Sequence, residues 1–117
     1  MTEDAALADR VADHFTVRAV AFETLKMMGG ICFMIRGKMC VGVTRNRLMV
    51  RLDPALGDAP LARPGCVPMD LTGRRMKGFF FVHAEGHAEE EDLQGWLDLA
   101  LEFNPRAKSA KSSKKAR

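Results

Sequence analysis

The chain has 117 residues, 47% of them apolar, which suits one folded domain and excludes a wholly disordered chain. Its net charge of +3 is uneven: the last thirteen residues hold six basic side chains and no acid, which leaves 12 basic and 15 acidic residues in the first 104. The pI near 9.0 is therefore no evidence that the folded part binds nucleic acid.

The hydropathy pattern disfavours membrane and secreted proteins. No uninterrupted apolar run approaches the roughly 18 residues that a membrane-spanning helix needs. Residues 1–4 are acidic, whereas a secretory signal begins with basic residues and continues into an apolar stretch. Because Cys32, Cys40 and Cys66 form no CxxC pair, they suit reduced thiols, and we expect a cytoplasmic protein with no membrane partner.

The first predicted element is a helix over residues 4–14, which Thr2 can cap. Its apolar stripe at helical spacing consists of Leu7, Ala8, Val11 and Phe15.

Residues 17–52 then change to a period of two, which predicts a meander of three or four strands. Tight turns are expected at Arg36-Gly37 and at Arg45-Asn46, since glycine and asparagine tolerate a positive φ. The pairs that these turns bring face to face are Ile35 with Lys38 and Thr44 with Arg47.

Counting outward from the turns divides the meander into two faces. One face is wholly apolar and is expected to be buried; it consists of Cys32, Met34, Met39, Val41, Val43, Leu48, Val50 and Leu52. The other is mixed and is expected to be partly wet; it consists of Ile31, Phe33, Ile35, Lys38, Cys40, Gly42, Thr44, Arg47, Met49 and Arg51. This register separates Cys32 from Cys40, so no disulfide is expected between them.

The second half of the chain begins with residues 53–71, which are rich in proline and glycine and predict a loop with one short helical turn from Pro54. A buried aromatic strand is predicted over residues 76–82 and a final helix over residues 88–103. The whole pattern predicts a two-layer α+β domain over residues 1–104, with an antiparallel sheet of about five strands. Residues 105–117 are predicted to be a disordered basic tail.

Several short motifs occur in an order and spacing that resemble a known family. They are Met27-Met28-Gly29-Gly30, the turn around Gly37, the segment from Arg47 to Asp53, the segment Gly73-Arg74-Arg75-Met76-Lys77-Gly78 with its aromatic strand, and Trp96 in the last helix. Over roughly residues 10–103 the chain resembles the N-terminal domain of TfoX (Sxy), the competence regulator. Met28 departs from the family, which usually has phenylalanine at this position.

The resemblance implies a two-layer α+β domain without an established enzymatic activity. Its motif residues, which we interpret as structural, are Met27, Met28, Gly29, Gly30, Gly37, Gly73, Met76, Gly78 and Trp96. Full-length competence regulators look two-domain, with a helical domain after this one. Here a basic tail stands in that place, so transcription activation is not carried over to this chain.

Basic residues form the main candidate binding set. Those that could contact an anion or a nucleic acid are Arg45, Arg47, Arg51, Arg74, Arg75 and Lys77 in the domain, and Lys108, Lys111, Lys114, Lys115 and Arg117 in the tail. For the domain residues, a solvated sheet face that discourages edge pairing is the favoured alternative. For the tail, a role in solubility is equally consistent with the composition.

Three other candidates have simpler structural explanations. Gly29-Gly30 could cradle a ligand, but lacks the context of a phosphate loop and is more typical of a bend. His83 and His87 lie near several glutamates, but lack the HExxH pattern of a zinc site. Cys66 lies in the predicted loop without a nearby histidine or CxxC partner, so no activated thiolate can be argued.

These observations lead to a non-enzymatic interaction or regulatory module that needs no cofactor and whose protein partner is not identified by the sequence. The alternative is a nucleic-acid-associated protein that acts through its basic tail. An enzyme with an unrecognised site is a third reading. A homodimer through a strand edge or the mixed face is permitted by the sequence and not required.

Overall fold

A computed structural model describes residues 3–27, 29–71 and 73–107. Its helices are α1 (Glu3–Val17), α2 (Ala84–His87) and α3 (Glu90–Phe103). Its strands are β1 (Glu23–Met27), β2 (Gly30–Ile35), β3 (Lys38–Thr44), β4 (Arg47–Arg51), β5 (Cys66–Leu71) and β6 (Arg74–Val82). Short 3₁₀ turns occupy Pro54–Leu56, Ala59–Ala62 and Asn104–Arg106. The six strands form one antiparallel sheet in the order β1-β2-β3-β4-β6-β5, so the predicted α+β class is confirmed.

Two tight hairpins fix the centre of the sheet. Arg36 and Gly37 have φ values of 58° and 75°, and Arg45 and Asn46 have values of 53° and 58°, as expected for turns of type I′. The predicted pairs across both turns are confirmed. The second turn is held to helix α1, because the carboxylate of Asp4 accepts hydrogen bonds from the backbone N–H groups of both Arg45 and Asn46.

The main core lies between one face of the sheet and helices α1 and α3. The predicted stripe of α1 is buried, with exposed fractions of 2% for Leu7 and 0% for Val11 and Phe15. The buried side chains of α3 are Leu93, Trp96, Leu97 and Ala100. They pack in one cluster with sheet residues that include Phe33, Val41, Val43, Leu48, Val50, Phe80 and Val82. In the part of the chain that the structure describes, no helix is long and apolar enough to cross a lipid bilayer.

A β-bulge corrects part of the predicted face assignment. Phe33 pairs with Val41, but Met34 pairs with Met39, so that Cys40 is one extra residue in β3. Phe33 therefore joins the helix-covered face, where its ring lies 5.9 Å from Phe15 and 5.4 Å from Phe22. The prediction also wrongly placed Ile35 and Cys40 on the mixed face, whereas both are buried in the main core. It wrongly placed Cys32, Met34 and Met39 on the helix-covered face, whereas they lie on the opposite face.

The prediction of a loop over residues 53–71 was wrong for the last third of that segment. Cys66–Leu71 is an additional strand, β5, which pairs with β6 and raises the sheet from about five strands to six. Proline obscured this strand, since Pro68 cannot donate a backbone hydrogen bond. It is tolerated because β5 lies at the edge of the sheet.

The predicted final helix over residues 88–103 is α3, which begins two residues later than expected, at Glu90, and ends at Phe103 as expected. A separate helical turn that was not predicted, α2, precedes it. Beyond α3, Asn104 and Ala107 are buried, with exposed fractions of 3% and 6%. Residues 108–117, which include most of the predicted disordered tail, lie outside the described residues, as do Thr2 and Met28.

Candidate interaction surface

The sheet has a second apolar cluster on the face opposite helices α1 and α3, here called the open face. Met49, Met69 and Phe81 are buried at its centre. The half-buried residues packed against them are Met39, Val67, Met76 and Phe79. No residue of the described helices belongs to this cluster, so the open face carries large apolar side chains without helical cover.

A depression of about 240 Å³ lies in the open face. It is lined by Gly30, Ile31, Cys32, Met39, Gly42, Val43, Thr44, Arg45, Arg47, Met49, Met69 and Phe81. Gly42 keeps this depression open, because a Cβ atom there would lie 3.2 Å from Cε of Met49 and 3.3 Å from the carbonyl oxygen of Ile31. A glycine inside a strand often marks a close approach of another group, and here it leaves room above the sheet.

Two arginines cover phenylalanine rings on the open face. The guanidinium carbon of Arg47 lies 3.8 Å from the ring centroid of Phe81, and that of Arg51 lies 5.3 Å from that of Phe79. Such cation–π contacts contribute about 0.5–1 kcal/mol at exposed sites. They hold positive charge directly beside apolar surface.

The structure separates the basic residues that the sequence grouped as possible anion contacts. Arg45 and Arg47 line the depression. Arg51 and Lys77 instead line a separate shallow cavity beside Phe79.

The remaining basic candidates lie elsewhere or outside the description. The backbones of Arg74 and Arg75 pair with Leu71 and Asp70 at the other end of β6. The tail candidates outside the described residues are Lys108, Lys111, Lys114, Lys115 and Arg117. No single basic patch therefore unites the described candidates.

The motif glycines have conformations that suit a structural role. Gly29, Gly37, Gly73 and Gly78 all have positive φ values, between 75° and 83°. Gly30 differs from them, because its constraint is space: a Cβ atom there would collide with the carbonyl oxygen of Val43.

Two of the other motif residues, Trp96 and Met76, pack in or against the two apolar clusters. Trp96 is buried in the main core, and its indole N–H donates to the carbonyl oxygen of Gly86 at 3.2 Å. Met76 packs against the cluster of the open face. The backbone of Met27 pairs with Gly30 in the first hairpin.

The cysteines are buried and free. Cys32 and Cys40 lie on opposite faces of the sheet as predicted, but each occupies the face predicted for the other: Cys32 lines the depression and Cys40 lies in the main core. Burial raises the pKa of the Cys32 thiol, and raises the pKa of Cys40 to about 12 and that of Cys66 to about 11. Cys66 lies in strand β5 rather than in an accessible loop. At neutral pH all three therefore carry neutral thiols, which are poor nucleophiles.

The two histidines considered as metal ligands occupy different environments. His83 directly precedes α2, whereas His87 is buried with its Nε2 atom 3.1 Å from the carbonyl oxygen of Asn46. Within residues 3–27, 29–71 and 73–107, no three His, Cys, Asp or Glu side chains come together as a metal-ligating group.

Sequence reasoning missed the centre of the depression. It assigned Gly42, Met49 and Arg47 to a partly wet face and did not recognise a cavity there. Two signals could have found it: a glycine in the middle of a predicted strand, and methionines on neighbouring strands, at positions 39, 49, 69 and 76.

Comparison with known proteins gives one match. A family model described as the TfoX N-terminal domain matches residues 17–104, which is most of the chain and includes the whole sheet. No curated protein and no solved structure matches the chain.

Proposed function

The chain belongs to the TfoX N-terminal domain family, and we propose that it is a non-enzymatic protein-interaction module that binds its partner through the open face. One observation carries this proposal: large apolar side chains and arginines surround a depression on a sheet face that the described helices do not cover. An apolar patch with a charged rim is typical of a protein-interaction site. The neutral state of the buried thiols also favours binding over nucleophilic catalysis.

We place this module in the cytoplasm. Three free cysteines suit a reducing compartment, where thiols stay unpaired. Its regulatory role would then consist of holding or presenting a cytoplasmic protein.

A capture experiment with the full chain tests the proposal. Wild-type protein and the Met39→Lys variant are used as bait in a native lysate, because Met39 lies on the open face and is half-buried. The matched control is Val17→Lys, since Val17 is 83% exposed at the end of α1, in the helical layer. We expect the same proteins to be retained by wild type and control and lost by Met39→Lys.

Thermal unfolding of all three proteins must show that each is folded. Recovery of no protein above background, or equal recovery by both variants, would refute binding through the open face.

The alternative function is nucleic-acid association through the basic tail, which the cluster of lysines at residues 108–117 favours. Gel shifts compare the full chain with a chain that ends at Ala107, because Ala107 is buried and should be kept. If the tail is responsible, only the full chain shifts DNA or RNA at about 50 mM salt, where electrostatic binding is strong. If neither form shifts the probes, this alternative is excluded.

A further inference from the structure

We propose that the depression on the open face receives an apolar side chain of an acidic peptide segment from another protein. This inference rests on the proposed interaction function and names the chemistry of the partner. It follows from the size, lining and charge of the depression.

The size of the depression points to a side chain rather than a whole small molecule. Its volume of about 240 Å³ is below the roughly 300–1,000 Å³ of typical small-molecule pockets. The flexible thioethers of Met39 and Met49 line it, and methionine adapts its shape to different apolar groups. The depression therefore suits one anchoring residue such as leucine or methionine.

The charge of the rim selects an acidic partner. Arg45 and Arg47 line the depression, and no aspartate or glutamate among the residues that the structure describes lines it. Arg45 is exposed at its turn, and Arg47 is half-buried over Phe81. A bound carboxylate could therefore contact the guanidinium groups of both arginines with little movement of either side chain. The carboxylate of Asp4 is already occupied by the backbone N–H groups of this turn.

Other occupants fit these observations less well. Single-stranded nucleic acids bind through bases that stack on open aromatic faces, but Arg47 and Arg51 already cover Phe81 and Phe79. The chain's own tail is also a poor occupant. Residues 108–117 consist of Lys, Ser, Ala and Arg, so they contain no acidic residue and no large apolar side chain to fill the depression. In a symmetric dimer through this face, the arginines of the two copies would approach one another.

Fluorescence anisotropy with defined peptides tests the inference on the full chain. The probes are labelled ten-residue peptides with glutamates around a central Leu, Met, Ile or Phe. Matched probes have lysine in place of every glutamate, or serine in place of the central residue. We expect the acidic Leu or Met peptide to bind at least about tenfold more tightly than either matched probe at low salt.

Two variants and one control locate the binding. Arg45→Asn removes the charge and keeps a residue that suits the positive φ of its turn, and it should weaken binding about threefold. Gly42→Ala places a methyl group in the depression and should weaken binding about fourfold. Arg36→Asn makes the same exchange in the other type I′ turn, outside the depression, and should change the Kd less than about twofold.

Each outcome decides the inference. It is overturned if no acidic peptide binds more tightly than its matched probes, if both depression variants bind like wild type, or if single-stranded DNA competes at this site. Self-association that Gly42→Ala abolishes would assign the site to a second copy instead. Loss of captured proteins in Met39→Lys without acidic-peptide binding refutes only this inference, whereas capture that is insensitive to Met39→Lys refutes the proposed function itself.

Discussion

The paired glycines Gly29 and Gly30 should differ in how they tolerate a methyl group. At Gly29 the φ is +75° and nothing lies within 4 Å of an added Cβ atom, so Gly29→Ala incurs only backbone strain of about 1–2 kcal/mol. At Gly30 the added atom would collide with the carbonyl oxygen of Val43 and lie 2.8 Å from Cβ of Thr44. Because that carbonyl belongs to the paired strand β3, relief requires a backbone shift, and Gly30→Ala should cost about 3 kcal/mol.

Urea unfolding of wild type and both variants measures this difference. The gain from a less flexible unfolded chain, about 0.4–1 kcal/mol, is common to both exchanges and cancels. We expect Gly30→Ala to be the less stable variant by at least about 1 kcal/mol. A Gly30→Ala variant that is as stable as Gly29→Ala would show that the motif is not constrained by strand packing, and would reopen the ligand-cradle hypothesis.

Two further predictions concern buried polar groups. Asp98→Ala removes the carboxylate 2.8 Å from Nε2 of the buried His14, and should lower the free energy of unfolding by about 1–3 kcal/mol. Arg10→Ala, which breaks a more exposed ion pair, should cost less than about 1 kcal/mol in the same urea titration, and equal costs would contradict this reasoning. Burial raises the pKa of the Cys40 thiol from 9.0 to about 12, so above about pH 9 the unfolded chain releases protons that the folded chain keeps. The free energy of unfolding should therefore fall as the pH rises from 9 towards 12, and Cys40→Ala should flatten this decline.

The sequence predicts the parts of this fold that depend on local chemistry. The two turns follow from Arg36-Gly37 and Arg45-Asn46, since few residue types favour a positive φ. The stripe of helix α1 and the end of α3 at Phe103 follow from helical periodicity and from the proline after Asn104. These features are encoded within a few neighbouring residues.

Strand β5 could not be predicted in the same way. Its residues include Pro68 and follow a run of prolines and glycines, so local propensity favours a loop. The strand exists because β6 offers a free edge, where Cys66 pairs with Val82 and Val67 with Phe81. That pairing is a tertiary effect, and no pattern within residues 66–71 reveals it.

The bulge in β3 shows how one local irregularity hid the candidate site. With regular pairing, Met34 and Met39 would join the helix-covered face and Phe33 would point the other way. The extra residue, Cys40, reverses this arrangement: the large ring of Phe33 fills the core beside Phe15, and the methionines move to the open face. Burying the phenylalanine ring stabilises the main core, which also holds Cys40, and aromatic pairs add about 0.5–1.5 kcal/mol beyond their buried area. The packing of the core therefore selects the bulge, and the bulge moves adaptable apolar side chains onto the sheet face where the depression forms.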